Sequence, residues 1–225
     1  YHTYDSLIKV SRNSIYDLAS ITKPTAGAIA LMKLHENNLL DLNKPLSHYI
    51  KFFNKSRVGD VLIKDYLQHI SGIRPWIPFH STTKKDDGQF KRKTLSYKQK
   101  RRYKIKLTDD LYLFNNFKKE IYNQIKKTYF VDSDTVLYSG LFFYLIPEIV
   151  EMQTNQTFDK YVENLFSSMN LDSILFNPTK KIDLKTIVPT EDDDFFRNFQ
   201  IHGFVHDEGA AMMDGVSGNA GLFSN

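Results

Sequence analysis

The chain contains no cysteine among its 225 residues. Disulfide staples, thiolate metal sites and cysteine nucleophiles are therefore excluded together, while a cysteine-free chain suits a reducing or an oxidising compartment equally well. Long hydrophobic runs are missing too. The longest, Ala26–Met32 and Leu141–Pro147, fall well short of the roughly 18–20 residues that cross a bilayer, so no membrane span is expected. No internal repeat is visible. Neither end carries a starting methionine, a basic leader or an apolar leader core: the chain opens at Tyr1 and stops at Asn225 in a glycine-rich stretch. Both ends are expected to be cut from something longer.

What is present is the composition of a folding chain. With 41% hydrophobic, 25% charged and 14% aromatic residues, wholesale disorder is excluded, and the length suffices for one large domain or two small ones. The formal net charge of +4 conceals an asymmetry: residues 80–107 hold eleven Lys/Arg against two Asp, a balance of +9, which leaves 19 basic against 24 acidic residues, or −5, elsewhere. Phe90, Tyr97 and Tyr103 interleave this basic run, as stacking rings do in nucleic-acid tracts. No nucleic-acid-binding motif accompanies it, so it is read as a solvated surface loop or β-ribbon inserted in a globular domain, and no nucleic-acid partner is expected.

Leu7, Ile8 and Val10 predict a strand or extended segment, then a turn at Ser11–Ser14 and a helical entry through Ile15–Ala19. From Ser20 to about His35, the apolar positions Ala26, Ile29, Ala30, Met32 and Leu34 predict a helix. Pro24 requires that helix to start near Ser20, because proline is tolerated only in the first turn, where N–H groups lack intrahelical partners. Asn37 and Asn38 supply a left-handed stop. Further helices are expected at 44–50, 63–69, 139–152 and 157–166, with a longer one over 108–127 and a turn at 132–134. From Leu171 onward the pattern suits strands and loops.

One element stands out chemically. Ser20-Ile21-Thr22-Lys23 places a hydroxyl and an amine at i and i+3 on one helix face. Serine is a poor nucleophile until a neighbour takes its proton, and both burial and a helix N-terminus disfavour a cation, which favours the proton-accepting amine at Lys23. Alone, the same four residues also describe a helix cap followed by a surface lysine. His202, His206, Asp207 and Glu208 have metal-ligand side chains, but Gly203 and Val205 between the histidines argue against the shared helix that would align them, and no metal is expected. Gly215-Val216-Ser217-Gly218-Asn219 has asparagine where a nucleophile elbow needs glycine and is read as a loop. His69, Ser71 and Gly72 are read as a structural turn at a helix end, and Glu191–Asp194 as a solvated acidic turn.

Longer stretches carry a resemblance. Tyr16-Asp17-Leu18-Ala19-Ser20-Ile21-Thr22-Lys23, Leu39-Leu40-Asp41-Leu42-Asn43-Lys44-Pro45-Leu46, Ile63 to Ile73, Leu137-Tyr138-Ser139-Gly140, Phe158 to Val162 and Met169-Asn170-Leu171 resemble, in order and spacing, the serine β-lactamase-related family. That family contains class C β-lactamases, DD-peptidases and related esterases. The stretch from Pro189-Thr190-Glu191 to His202-Gly203-Phe204-Val205-His206-Asp207-Glu208 is similar to the branch often fused behind a family 3 glycoside hydrolase domain in Bacteroidetes.

The resemblance implies a mixed α and β fold of the β-lactamase and penicillin-binding type, with a helical lobe, an α/β lobe and an incomplete sheet. Residues 1–225 would form a partial catalytic domain with a basic excursion at 80–107. Ser20 would be the acylated nucleophile, Lys23 its proton partner and Tyr138 the second general base, its phenolate favoured by the lysine cation and by the helix that follows. The implied activity is a serine hydrolase working through an acyl-enzyme on an ester, a D-amino-acid peptide or a β-lactam. The implied partners are a small-molecule or peptidoglycan-like substrate and a covalently fused glycoside hydrolase domain, the location is the periplasm or cell envelope, and no cofactor is required. Two departures point to an impaired or non-catalytic binding module instead. Gly140 stands where the family has a polar side chain that orients the substrate or the lysine, and the family's third motif, which supplies one oxyanion-hole N–H, would lie downstream of Ala220–Ser224.

Overall fold

The computed structural model of the chain describes residues 1–132 and 135–225. The turn expected at 132–134 falls mainly outside the described residues. Strand β1 (Tyr16–Asp17) leads into a tight 3-10 turn at Ala19–Ile21, a wider π-helical turn over Lys23–Ala28 and then helix α1 (Ile29–Glu36). Pro24 lies in the first turns, as its missing N–H requires, and Asn38 closes the helix in the left-handed region at φ 58°. Ala26, Ala30, Leu31 and Leu34 give this helix its buried face.

Helices α2 (Leu46–Tyr49), α3 (Arg57–Asp60) and α4 (Ile63–Leu67) follow. The short α3 lacks a clear hydrophobic period; Ser56 caps it, its Oγ accepting the Gly59 N–H at 3.1 Å. Strands β2 (Leu95–Ser96), β3 (Tyr103–Lys106) and β4 (Tyr112–Phe114) precede helix α5 (Lys118–Lys126). They form one antiparallel sheet in the order β2-β4-β3.

Three expectations are corrected here. The long helix over 108–127 is a strand followed by a shorter helix: Leu111 and Leu113 are buried while Tyr112 and Phe114 are only half-buried, a period of two that β4 realises by pairing on both edges. Leu7, Ile8 and Val10 lie exposed and outside any strand, and the helical entry over Ile15–Ala19 is instead occupied by β1. Strand propensity cannot act without a neighbouring strand or a core to cover.

The second half adds α6 (Ile146–Thr154) and α7 (Phe158–Ser168), strands β5 (Leu175–Phe176), β6 (Glu191–Asp193) and β7 (Phe199–Ile201), helix α8 (Glu208–Ala211) and strand β8 (Leu222–Ser224). A sheet in the order β1-β8-β5 joins the first strand to the last, with Tyr16 opposite Ser224. The helices pack through fully buried Phe53, Phe142, Phe158, Leu31 and Leu34, and Tyr66 stacks on Phe142 with ring centroids 4.7 Å apart. Among the described residues no helix is long and apolar enough to cross a membrane.

One packing constraint is severe. A Cβ at Gly59 would sit 2.0 Å from the Phe53 carbonyl oxygen, a backbone atom with no side-chain freedom to yield. Gly59→Ala is expected to destabilise the chain by about 1–3 kcal/mol through overpacking, read as a lower urea midpoint with an unchanged slope. An unchanged midpoint would mean that α3 shifts freely.

Candidate active site

The Ser20 turn is strained where it meets the helix. Ala19 adopts φ 47°, a conformation that costs a non-glycine residue roughly 1–3 kcal/mol and persists only where its surroundings fix it. It presents Ser20 on the surface, while Lys23, one turn on, is 7% exposed. Lys23 Nζ donates to Ser20 Oγ at 2.8 Å and to the Asn219 carbonyl at 3.1 Å.

That carbonyl arrives on a loop that passes very close to α6. A Cβ on Gly218 would lie 2.5 Å from the Phe143 carbonyl oxygen, so only glycine lets the loop approach this far. Next to it, Ser217 Oγ lies 2.6 Å from Asn219 Oδ1 in a fully buried contact. Behind the loop Tyr144 donates to Asp207 Oδ1 at 3.0 Å; burial and the neighbouring carboxylate push its phenol well above its ordinary value and keep it protonated.

Tyr138 behaves in the opposite way. It is 54% exposed, and the Lys23 nitrogen stands 5.4 Å from its ring centre. Burial raises the phenol, but the polar pull of Ser20 and Lys23 and the lysine charge outweigh it, so the Tyr138 pKa lies below its ordinary value. The structure thus brings together all three residues singled out from the sequence.

His69, read from sequence as part of a structural turn, holds Tyr138 from both sides. Its carbonyl accepts the Leu137 N–H at 2.8 Å and its Nδ1 accepts the Ser139 N–H at 3.3 Å. Its ring lies 4.7 Å from that of Tyr138. Burial and the Lys23 charge lower its pKa, in keeping with the neutral ring that an accepting Nδ1 requires. His69 has φ 57°, and no residue-type pattern announced this. Asn219 escaped notice because its backbone carbonyl, rather than its side chain, meets Lys23.

The remaining candidates separate. His202 Nε2 contacts the carbonyls of Leu184 and Ile187, whereas His206 faces Asp17, so the two rings do not converge. Gly140 is beside Lys23: a Cβ there would lie 3.6 Å from Lys23 Cε, an ordinary contact. A cavity of about 570 Å³ opens from Ser20, Lys23 and Tyr138 along Leu31, Met32 and His69.

The family model described as Beta-lactamase matches residues 2–194. The chain belongs to this family. Curated relatives of this beta-lactamase family chain include a putative D-alanyl-D-alanine carboxypeptidase of Salmonella schwarzengrund, 32% identical over 240 aligned positions, covering 97% of the chain and 50% of the relative. Among solved structures, a class C beta lactamase from Rhodobacter sphaeroides superposes with a TM-score of 0.64 at 16% identity, over all of this chain and 52% of that one. A penicillin binding protein from Bacillus halodurans gives 0.62 at 16% identity, over all of this chain and 60% of that one. The mixed α and β fold with an incomplete sheet is therefore of the β-lactamase and penicillin-binding type. The chain spans about half the length of the curated relatives it matches.

Lys23→Met would remove the lysine influence that lowers the Tyr138 phenol and leave the burial that raises it. Tyr138 is then expected to titrate at higher pH, read by ultraviolet difference titration against a Tyr138→Phe reference. An unchanged titration would contradict the coupling.

Proposed function

We propose that this chain carries the nucleophile machinery of a serine hydrolase that works through an acyl-enzyme. Ser20 is the nucleophile, Lys23 takes its proton, and Tyr138 passes a proton to the leaving group. The observation that carries the reading is the 2.8 Å contact between Lys23 Nζ and Ser20 Oγ, with the Tyr138 ring centre 5.4 Å from the same nitrogen.

The surroundings of Lys23 suit both of its protonation states. As an ammonium it donates to two acceptors, Ser20 Oγ and the Asn219 carbonyl, beside the Tyr138 ring. As a neutral amine it keeps a donor for Asn219, and its lone pair accepts the Ser20 hydroxyl, so only one bond changes direction. Proton transfer then needs little rearrangement, which is what a fixed acid-base pair contributes to catalysis. Ser20 Oγ attacks the substrate carbonyl, the proton moves to Lys23, the leaving group departs with a proton delivered through Tyr138, and water hydrolyses the Ser20 acyl ester.

The substrate class proposed is an ester, a D-amino-acid peptide or a β-lactam, with peptidoglycan-like peptides in the cell envelope as the natural setting. The peptide and β-lactam choices draw on the likeness to the Salmonella D-alanyl-D-alanine carboxypeptidase and the Rhodobacter β-lactamase. Gly140 favours a second reading, a binding module of the same fold without turnover, because no side chain there orients Lys23 or the substrate.

Incubation with a fluorophosphonate or a penicillin, followed by mass spectrometry, separates the two. The hydrolase reading expects an adduct on Ser20 that disappears in Ser20→Ala. Lys23→Arg keeps the charge but cannot release a proton, and is expected to slow acylation by about 100-fold or more. Tyr138→Phe is expected to impair leaving-group protonation and deacylation while the fold persists. Ligand binding without any adduct would favour the binding module.

A further inference from the structure

Asp17 lies three residues before Ser20, with its side chain 0% exposed. Its two oxygens serve different masters. Oδ1 accepts the N–H of Ala19 at 2.8 Å. Oδ2 accepts the backbone N–H of His206 at 2.8 Å and lies 3.1 Å from His206 Nδ1, across a sequence separation of 189 residues. The Ala19 bond secures the strained residue on which the orientation of Ser20 depends.

His206 is itself immobilised from behind. Arg197, also with a side chain 0% exposed, donates to the carbonyls of Val205 at 2.8 Å and of His206, and pairs with Asp193 at 2.7 Å. Asp193 Oδ1 in turn accepts the N–H groups of Phe195, Phe196 and Arg197. A buried charge is tolerated only when paired and hydrogen-bonded, and each charge in this series meets that condition. The result is a continuous hydrogen-bonded path from the β6–β7 hairpin through His206 and Asp17 to the backbone of the nucleophile turn.

We propose that Asp17 and His206 are positioning residues for Ser20: together they fix the left-handed turn at Ala19 and so aim the serine hydroxyl at Lys23 and Tyr138. The role in catalysis rests on the reading of Ser20 as the nucleophile. A single hydrogen bond from Asp17 to Ala19 would cap the turn locally. The second oxygen, claimed by His206, removes the rotation that Asp17 would otherwise retain, and positional errors near 1 Å can cost about 100-fold in rate.

The arrangement also makes the clamp sensitive to pH. The charged groups facing His206 are Asp17 from β1, Asp207 beside it and Glu191 from β6, while Arg197 meets its carbonyl. The Asp17 hydrogen bond foremost raises the His206 pKa, with burial opposing it and the carboxylate charges adding to it. For a raised imidazole the ion pair is complete below the ordinary value of about 6.5 and is lost as pH rises through the folded value.

The test compares His206→Ala with His206→Asn, whose amide restores an uncharged donor near the Nδ1 position. Two quantities are read: the rate of Ser20 labelling by a fluorophosphonate, and hydrogen exchange of the segment 17–22 by mass spectrometry, with thermal unfolding as the check on folding. His206→Ala is expected to label about 10–100-fold more slowly and to exchange faster at the turn. His206→Asn is expected to recover most of the rate and protection while losing the pH-dependent component that centres above the ordinary imidazole range.

Wild-type labelling and exchange in His206→Ala would overturn the proposal, as would equal slowing in both variants with the pH component retained. Should His206→Ala fail to fold, the pH profile of His206→Asn decides. If the wild-type protein does not label at all, the reading of Ser20 fails, and the exchange data still decide whether His206 holds the turn.

Discussion

Lys23 carries an amine almost out of contact with water, and a buried amine must find acceptors or forfeit several kcal/mol of hydration. Its acceptors are Ser20, one turn away, and the Asn219 carbonyl just before β8, and the Tyr138 ring ahead of α6 lies 5.4 Å from it. Satisfying that one nitrogen constrains the rest. The 215–221 loop must pass tightly over α6, which Gly218 permits, and the Tyr138 segment must lie against Lys23, which His69 arranges by gripping the residues on either side of the tyrosine. The lowered pKa of Tyr138 is a further consequence, since the same nitrogen brings its charge beside the phenol.

The two tyrosines show how position decides chemistry within a few residues. Tyr138, half-exposed and facing a lysine, is pushed toward phenolate; Tyr144, enclosed and facing Asp207, is locked as the neutral phenol. One is equipped to exchange protons and the other to brace the loop that carries Asn219.

Local grammar made much of this legible in the sequence. Pro24 fixed where the Ser20 helix could begin, Asn38 where it ended, and the Ser-x-x-Lys spacing put a hydroxyl and an amine on one face. The resemblance singled out Tyr138 from thirteen tyrosines, something that periodicity could not do. What stayed hidden was contributed by backbone atoms or by residues whose partners lie far along the chain. The Asn219 carbonyl has no residue-type signature. His69 looks like any histidine at a helix end until its φ and its two backbone partners are known. In the sequence Asp17 is one residue of a motif and His206 one of two histidines without a shared helix, and neither pattern implies that they meet. The error at 108–127 has a different origin: Leu111 and Phe114 fit a helical spacing, but Leu111 and Leu113 also fit a strand, and the pairing with β2 and β3 decided between them.

The β1–β8 pairing joins residue 16 to residue 224, and the Lys23 contact to Asn219 spans 196 positions. Contacts of this separation pay their full loop-closure entropy before they return any binding, and they tend to form late in folding. The Ser20 helix can organise early from neighbouring residues, but the environment of Lys23 is finished only when the segments around residues 16–23 and 219–224 meet. Partly folded species would thus hold the serine and the lysine without the Asn219 carbonyl. The surroundings of Ser20 are in this way tied to the pairing of distant segments, an order of assembly that arises from topology alone.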